Sequence, residues 1–132
     1  MDLNYSAEDF KKDRLLDVGH WYPLEVTEYE DLGLSKSKKS NGIRVELTVT
    51  DGDFEGVPVP VFFNDSKDMR RNPVIKFAMA IGGKRDKDGN LKVSLGEGIV
   101  GKTCWGYAVQ REYNNKPQNE FTDFADHNPT ED

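Results

Sequence analysis

A run of strictly alternating apolar and polar residues is the feature that most constrains the fold. The alternation covers eight positions, Ile43-Arg44-Val45-Glu46-Leu47-Thr48-Val49-Thr50. Because successive side chains of a strand point to opposite faces, this period of two predicts a β-strand with one buried face. The chain is therefore expected to build a sheet that covers a core on one side.

Four further segments predict strands, because β-branched and aromatic residues are frequent in them and turn residues separate them. They are residues 20–29, 57–63, 102–113 and 120–125. Pro58 and Pro60 lie two positions apart in the third strand of the chain, and an unpaired edge strand tolerates both missing donors. Residues 51–56 predict a turn, and residues 114–119 predict a hairpin loop.

Alternation also assigns faces within these strands. The expected core positions are Tyr22, Leu24 and Val26 in the first strand and Val59, Val61 and Phe63 in the third. Trp21, Tyr29 and Phe62 then point outward. In residues 102–113 one face carries Trp105, Tyr107, Val109, Arg111 and Tyr113, and the other carries Cys104, Gly106, Ala108 and Gln110. The pattern leaves open which of these two faces is buried.

Two short helices are predicted. Ser6 is a candidate N-cap for a helix over residues 6–16, with Asp9 three positions later. Pro73 in its first turn and a glycine pair after its end bound a second helix over residues 73–81. The order of elements predicts an all-β protein, a five-stranded OB-fold Greek-key barrel with the second helix between strands three and four. A small SH3-like barrel and a β-sandwich are the alternatives.

Length and composition fit one domain without a membrane span. The chain has 132 residues and a mean hydropathy of −0.75, and no apolar run approaches the length of a bilayer. We expect an N-terminal helical extension (residues 1–18), an OB-fold domain (19–125) and a flexible acidic tail (126–132). One cysteine and two histidines predict no disulfide, no metal site and no cofactor. Without a visible leader, the protein is expected to be intracellular.

The net charge of −6 is distributed unevenly along the chain. Residues 120–132 carry five carboxylates and no Lys or Arg, and residues 1–13 have a net charge of −2. Residues 14–119 therefore have a net charge of +1. Within them, residues 34–44 have a net charge of +4 and residues 67–87 a net charge of +5. The acidity belongs to the ends, so the composition is compatible with a nucleic-acid partner.

Enzymatic motifs are weak in this sequence. Gly96-x-x-x-x-Gly101-Lys102-Thr103 has the spelling of a phosphate-binding loop, but the residues that follow it favour a strand, where the motif requires a helix. Cys104 is interpreted as a small core residue, and His20 and His127 as solvated side chains. We therefore expect no enzymatic activity, and a small nucleotidase is the third hypothesis.

Exposed aromatic and basic residues predict an interface for a single nucleic-acid strand, because bases stack on rings and phosphates attract cations. The candidate DNA-binding residues are Trp21, Lys36, Lys38, Lys39, Arg44, Phe62, Arg70, Arg71, Arg85, Trp105, Tyr107, Arg111, Tyr113 and Lys116. The three lysines of this set fall in a predicted flexible loop, residues 33–42, between strands one and two. That loop forms one wall of the usual OB-fold groove.

Three stretches resemble a family of small bacteriophage proteins from replication and recombination modules, often described as a domain of unknown function. The stretches are residues 19–26, the Ser/Lys loop that precedes residues 43–47, and Gly101-Lys102 leading into the strand that ends at Tyr113 and its following loop. The likeness covers residues 19–126. It implies an OB-fold, single-stranded DNA binding, and a turn at Gly101-Lys102 that enters the fourth strand.

The resemblance also implies which residues line the groove. They are Lys38, Lys39, Arg44, Arg111 and Tyr113. Trp105 departs from the family, where a smaller or β-branched residue is expected at this position. The acidic end resembles the tails with which many single-strand binders recruit replication proteins, and a frayed terminus is the alternative interpretation.

We therefore expect a single-stranded DNA-binding protein with little sequence preference that acts in phage DNA replication or recombination. The expected partners are single-stranded DNA and, through the acidic tail, phage or host replication and recombination proteins. A homo-oligomer is compatible with the sequence, and no membrane partner is expected. The expected location is the cytoplasm of an infected bacterium. The alternative is a small phage interaction protein, an inhibitor or assembly factor, on the same barrel.

Overall fold

The computed structural model describes residues 1–6, 9–10, 14–34, 40–66 and 73–130. In chain order the elements are β1 (Trp21–Leu34), β2 (Asn41–Val49), β3 (Pro58–Asn64), α1 (Val74–Ala80), a 3₁₀ turn (Glu97–Ile99), β4 (Thr103–Tyr113) and β5 (Lys116–Ala125). The protein is mostly β, as the sequence predicts.

The strands form one antiparallel five-stranded sheet in the order β3-β2-β1-β4-β5. β1 is the central strand and pairs with β2 on one side and β4 on the other. The edge strands β3 and β5 do not pair in this sheet, both being fully described, but they meet through side chains. The rings of Phe63 and Phe124 have centroids 5.7 Å apart. The five antiparallel strands and the helix after the third are therefore confirmed.

Apolar side chains at alternating strand positions fill the core, as predicted. Leu24, Val26, Val45, Leu47, Val49, Val59, Val61 and Phe63 are at most 5% exposed. Phe77 of α1 is fully buried between the two edge strands, with ring centroids 4.7 Å from Phe63 and 5.3 Å from Phe124. The helix therefore packs against both edge strands, β3 and β5, through Phe77.

β3 is an edge strand that pairs only with β2 in the described part of the chain, as its prolines predict. Pro58 lies opposite Thr48, and Pro60 lies opposite Glu46. Residues two apart direct their backbone groups to the same side of a strand. Both missing donors therefore fall on the open side of β3, where they remove no hydrogen bond from the sheet.

The inner face of β4 is the small-residue face. Cys104, Gly106 and Ala108 are buried, whereas Trp105 and Tyr107 point away from the core and are partly exposed. A Cβ atom on Gly106 would lie 2.7 Å from Leu24 Cδ1 and 2.9 Å from Phe121 Cδ1. The neighbouring strands thus leave no room for a larger side chain, which decides the choice that alternation left open.

A β-bulge in β1 changes the face on which Tyr29 lies from the one predicted. The register of β1 against β2 shifts between Val26 and Glu28, so the alternation changes parity there. Tyr29, predicted to point outward, is instead partly buried against the core, and its hydroxyl donates to the Leu95 carbonyl at 3.1 Å.

The N-terminal helix prediction is wrong at its end. Asp9 and Phe10 are helical, and the Ser6 N–H donates to the Asp9 carboxylate at 2.9 Å, as a capping pair does. Residues 14–16 are not helical, and residues 7–8 and 11–13 lie outside the described ranges.

The side chain of Asn119 in β5 is hydrogen-bonded to the backbone of residues 14–16. Its side-chain oxygen accepts from the Leu16 N–H, and its side-chain nitrogen donates to the Arg14 carbonyl, both at 2.8 Å. Leu16 itself is only 2% exposed. The Leu16 N–H and the Arg14 carbonyl are thus hydrogen-bonded to β5 and not within a helix, which explains why the helix does not continue.

Two predicted loops are shorter than expected. β1 continues to Leu34 and β2 begins at Asn41, and of the loop between them residues 35–39 lie outside the described ranges. β5 begins at Lys116, four residues earlier than predicted. Asn114 and Asn115 adopt left-handed φ values of 52° and 63°, and a two-residue hairpin turn of this kind requires such values.

We predict that Gly106→Ala lowers the free energy of unfolding by about 1–3 kcal/mol, the usual effect of overpacking a core. The added methyl group must displace Leu24 or the Phe121 ring, and both are fully buried. Gly96→Ala is the matched control, because a Cβ there meets nothing within 4 Å. Urea denaturation measures both variants, and equal stability of the two would contradict this packing.

Candidate functional site

The outward side of β1 and β4 carries four neighbouring rings, which we name the aromatic face: Trp21, Pro23, Trp105 and Tyr107. Trp21 lies directly opposite Tyr107, and Pro23 lies opposite Trp105. The rings of Trp21 and Tyr107 have centroids 5.5 Å apart and are tilted by 60°. All four side chains are partly exposed. They form a continuous ring surface that solvent reaches.

Pairing between the chain before β1 and β4 fixes the position of this surface. The Gly19 N–H donates to the Ala108 carbonyl at 2.9 Å, and the Ala108 N–H donates to the His20 carbonyl at 3.0 Å. Gly19 has φ of 78°, a conformation that glycine adopts without strain. The turn therefore delivers Trp21 onto the sheet directly beside Tyr107.

The same outward side continues to the end of the β4–β5 hairpin. Arg111 and Tyr113 follow Tyr107 at alternate positions of β4, and Lys116 lies opposite Tyr113. Tyr113 is 66% exposed. The Arg111 guanidinium contacts the carboxylate of Glu120 on β5. Two cations and one exposed ring thus extend the aromatic face toward the hairpin turn.

Carboxylates border the aromatic face on its β5 side. Asp123 lies opposite Tyr107, and Glu120 lies opposite Val109. Each of the two carboxylates already has a cationic partner: Lys76 Nζ is 3.1 Å from Asp123 Oδ1, and Arg111 contacts Glu120. The negative charge at this border is partly neutralised within the molecule.

The outward side of β2 and of the second half of β1 is acidic. Glu28, Glu30 and Glu46 lie there around one cation, Arg44. The Arg44 guanidinium is 3.3 Å from Glu28 Oε2 and 4.0 Å from Glu46 Oε2. This guanidinium is therefore already engaged by two carboxylates.

The structure brings together only part of the predicted site. Trp21, Trp105 and Tyr107 form one cluster, and the set that continues it is Arg111, Tyr113 and Lys116. Arg44 and Phe62 are cross-strand neighbours on β2 and β3, and Phe62 is 63% exposed. Arg85 lies in the loop after α1, where its Nε donates to the Gly89 carbonyl at 2.8 Å. The predicted residues Lys36, Lys38, Lys39, Arg70 and Arg71 lie outside the described ranges.

Sequence reasoning missed three residues of this surface. Pro23 shares the face of Trp21, and the alternation that puts Tyr22 and Leu24 inside could have revealed it. Glu120 and Asp123 border the rings only because β5 pairs with β4 across a bulge next to Tyr107. No local pattern in the sequence specifies that register.

The residues Gly101-Lys102-Thr103, which match the end of a phosphate-binding loop motif, form a turn that leads into β4. Gly101 has φ of 96°, and its N–H donates to the Val26 carbonyl at 2.8 Å. Thr103 begins a strand and not a helix. The turn predicted from the resemblance is confirmed, and the helix that cradles phosphate in such motifs does not follow it.

The described residues show neither a metal-binding cluster nor a helix that could cross a membrane. Among the described residues, no group of three or more His, Cys, Asp or Glu side chains is arranged to bind a metal ion. The same residues include no helix with the length and apolarity that a membrane crossing requires.

The end of the chain is described as far as residue 130. The Asp126 carboxylate lies 2.6 Å from His127 Nδ1, and this hydrogen bond lowers the pKa of Asp126. Glu131 and Asp132, two acids of the predicted tail, lie outside the described ranges. The tail's flexibility and its partner remain predictions.

We predict that Cys104 is chemically inert in the folded protein. Burial raises the pKa of its thiol to about 12, and the thiolate is the reactive species. A thiol reagent such as Ellman's reagent at pH 8 should label the native protein far more slowly than the urea-unfolded protein. Fast labelling of the native protein would contradict a buried thiol.

The same shift predicts a pH dependence of stability. The unfolded thiol ionises near its ordinary value of 9.0 while the folded thiol stays protonated. The free energy of unfolding should therefore be unaffected by this group below about pH 9 and fall as the pH rises toward 12. Cys104→Ala lacks this component, so the difference between the two proteins isolates it. Parallel stability profiles above pH 9 would contradict the shift.

No protein-family model and no curated protein sequence matches the chain.

Proposed function

We propose that the protein binds single-stranded DNA with little sequence preference and that the aromatic face is its stacking surface. One observation carries the proposal: two tryptophans and a tyrosine lie side by side and partly exposed on the outward sheet surface. Rings exposed in this way are the platforms on which unpaired bases stack.

The spacing of the rings suits a single strand. Trp105 and Tyr107 lie two residues apart on β4, which separates them by roughly 7 Å. Stacked bases in a duplex are about 3.4 Å apart. A strand that uses both rings must therefore be extended and unstacked, and duplex DNA cannot present its bases in this way.

Phosphate contacts fall to the cations near the hairpin turn. Arg111 and Lys116 continue the aromatic face, and Tyr113 offers a further ring between them. Arg111 is 67% exposed despite its contact with Glu120, so phosphate can compete for its donors. Lys36, Lys38 and Lys39 are the further phosphate contacts that the sequence predicts. Arg44 is excluded from the proposed surface because Glu28 and Glu46 already engage it.

The proposed fold is an OB-fold. The strand order, the antiparallel pairing of β1 with both β2 and β4, and the helix between β3 and β4 support this assignment. Contact between β3 and β5 through Phe63 and Phe124 is what a nearly closed barrel requires. A role in phage replication or recombination, in the cytoplasm of an infected bacterium, follows from the sequence resemblance and belongs to the same proposal.

One observation favours the second candidate, a protein-interaction module. Glu120 and Asp123 border the aromatic face with negative charge, and a protein partner with a basic rim would complement them. In that case the two tryptophans would be anchors in a protein interface. A negative border weakens the attraction of DNA, so the two candidates differ in their response to oligonucleotides.

We predict that an oligo-dT strand quenches tryptophan fluorescence and that binding weakens steeply with salt. Counterion release gives a slope of about −0.7 per phosphate contacted. The protein has two tryptophans, so Trp21→Phe and Trp105→Phe each leave one reporter on the aromatic face. Quenching is expected in both single-tryptophan variants. Duplex DNA of the same length should bind more weakly.

Trp21→Ala and Trp105→Ala should each weaken binding about 5- to 150-fold, since one stacked base is worth about 1–3 kcal/mol. Phe10→Ala is the control, because Phe10 is an even more exposed ring (70%) that lies outside the sheet. Unchanged affinity in both tryptophan variants would remove the aromatic face from the interface. Absence of any oligo-dT binding by the wild-type protein would favour the interaction module.

A further inference from the structure

The second half of β1 has a free edge. β4 pairs with residues 21–25 of β1, and the last backbone bonds on that side join Val26 to Gly101 and Lys102 at 2.8 Å. β1 continues to Leu34 with β2 as its only strand partner among the described residues. On that side, none of the residues that the structure describes pairs with the backbone of this segment.

This edge is regular over four residues. Glu28, Tyr29, Glu30 and Asp31 pair with β2 without interruption, between two shifts of register. Beyond them the Gly33 N–H is already bonded to the Asp31 carboxylate at 2.8 Å. A run of four residues offers about 13 Å of pairing edge, enough for a short added strand.

The two outer strands of the sheet differ from this segment in what they carry along their edges. β3 carries Pro58 and Pro60 along its open side. In β5, the side chain of Asn119 is hydrogen-bonded to the N-terminal segment, and Asp123 pairs with Lys76 of α1. The free part of β1 has neither a proline nor a lysine, and its charges are the carboxylates of Glu28, Glu30 and Asp31, which oppose the addition of an acidic strand but not of a basic one.

A shallow groove of about 560 Å³ runs beside this edge. Its lining residues are Glu28, Tyr29, Glu30, Arg44, Glu97 and Val100. The wall opposite β1 is the segment around the 3₁₀ turn. The Tyr29 hydroxyl donates a hydrogen bond to the Leu95 carbonyl and so connects β1 to this segment. The groove therefore has a backbone edge on one side and a fixed wall on the other.

The charge of the groove selects the partner. Among the described residues, three carboxylates line it, and the one cation there, Arg44, already pairs with Glu28. Burial and the nearby charges of Asp31 and Glu97 raise the pKa of Tyr29, so its hydroxyl stays protonated and neutral at physiological pH. A polyanion is repelled here, whereas lysine or arginine side chains are attracted.

We propose that the free edge of β1 binds an extended basic peptide segment of a partner protein by β-strand addition. The backbone of the peptide pairs with residues 28–31, as in other cases of β-augmentation. Every second side chain of the peptide then lies beside Glu28 or Glu30, so a lysine or arginine at alternate positions fits best. This site is separate from the aromatic face and does not depend on the proposed DNA binding.

The test is isothermal titration calorimetry at low salt, in which the acetylated peptide Thr-Lys-Val-Lys-Val-Lys-Thr is titrated into the protein. Binding is expected, and the same peptide with Glu in place of Lys should not bind. N-methylation of alternate residues separates pairing from simple attraction. Because a strand pairs through one side only, methylating one alternate set should abolish binding and methylating the other should not. Equal effects of both sets, or no binding of the parent peptide, would overturn the proposal.

Protein variants locate the site. Glu28→Gln with Glu30→Gln should weaken peptide binding about fivefold or more, since both opposite-charge pairs are lost. Glu55→Gln with Glu112→Gln is the control, because it changes the net charge equally at exposed residues away from the groove. Equal weakening by both double variants would overturn the assignment to β1. Trp105→Ala should leave peptide binding unchanged.

Discussion

The close approach of three strands at Gly106 is the constraint on which the arrangement of this surface depends. Leu24 and Phe121 occupy the volume that any side chain at Gly106 would need. The inner face of β4 is therefore restricted to small residues, and its large residues must point outward. Trp105 and Tyr107, which flank Gly106 in sequence, lie partly exposed on the opposite face of β4, and a ring surface beside β1 is the result.

The outward surface of the sheet is divided by charge as well as by shape. Rings dominate where β1 pairs with β4, and carboxylates dominate where β1 pairs with β2. Glu28 and Trp21 belong to the same strand, yet they offer opposite chemistry to a ligand. One central strand can thus serve two unrelated partners, since a ligand suited to one half is poorly suited to the other.

Alternation predicted the strands, the core positions of β2 and β3, and the edge position of the prolines, because these depend on local period alone. It could not place Tyr29, since a bulge reverses the parity of β1. It could not choose the face of β4, which depends on Leu24 and Phe121 from other strands. The role of Asn119 could not be predicted either, because its two hydrogen bonds join segments that no local sequence pattern connects.

The contact with Asn119 also sets when the N-terminal segment can dock during synthesis on the ribosome. Leu16 and Asn119 are 103 residues apart, and synthesis at 5–20 residues per second separates them by roughly 5–20 s. During that interval the N-terminal segment has no β5 to bind, and Leu16 cannot reach its final place. Leu16 therefore stays undocked until the last strand emerges.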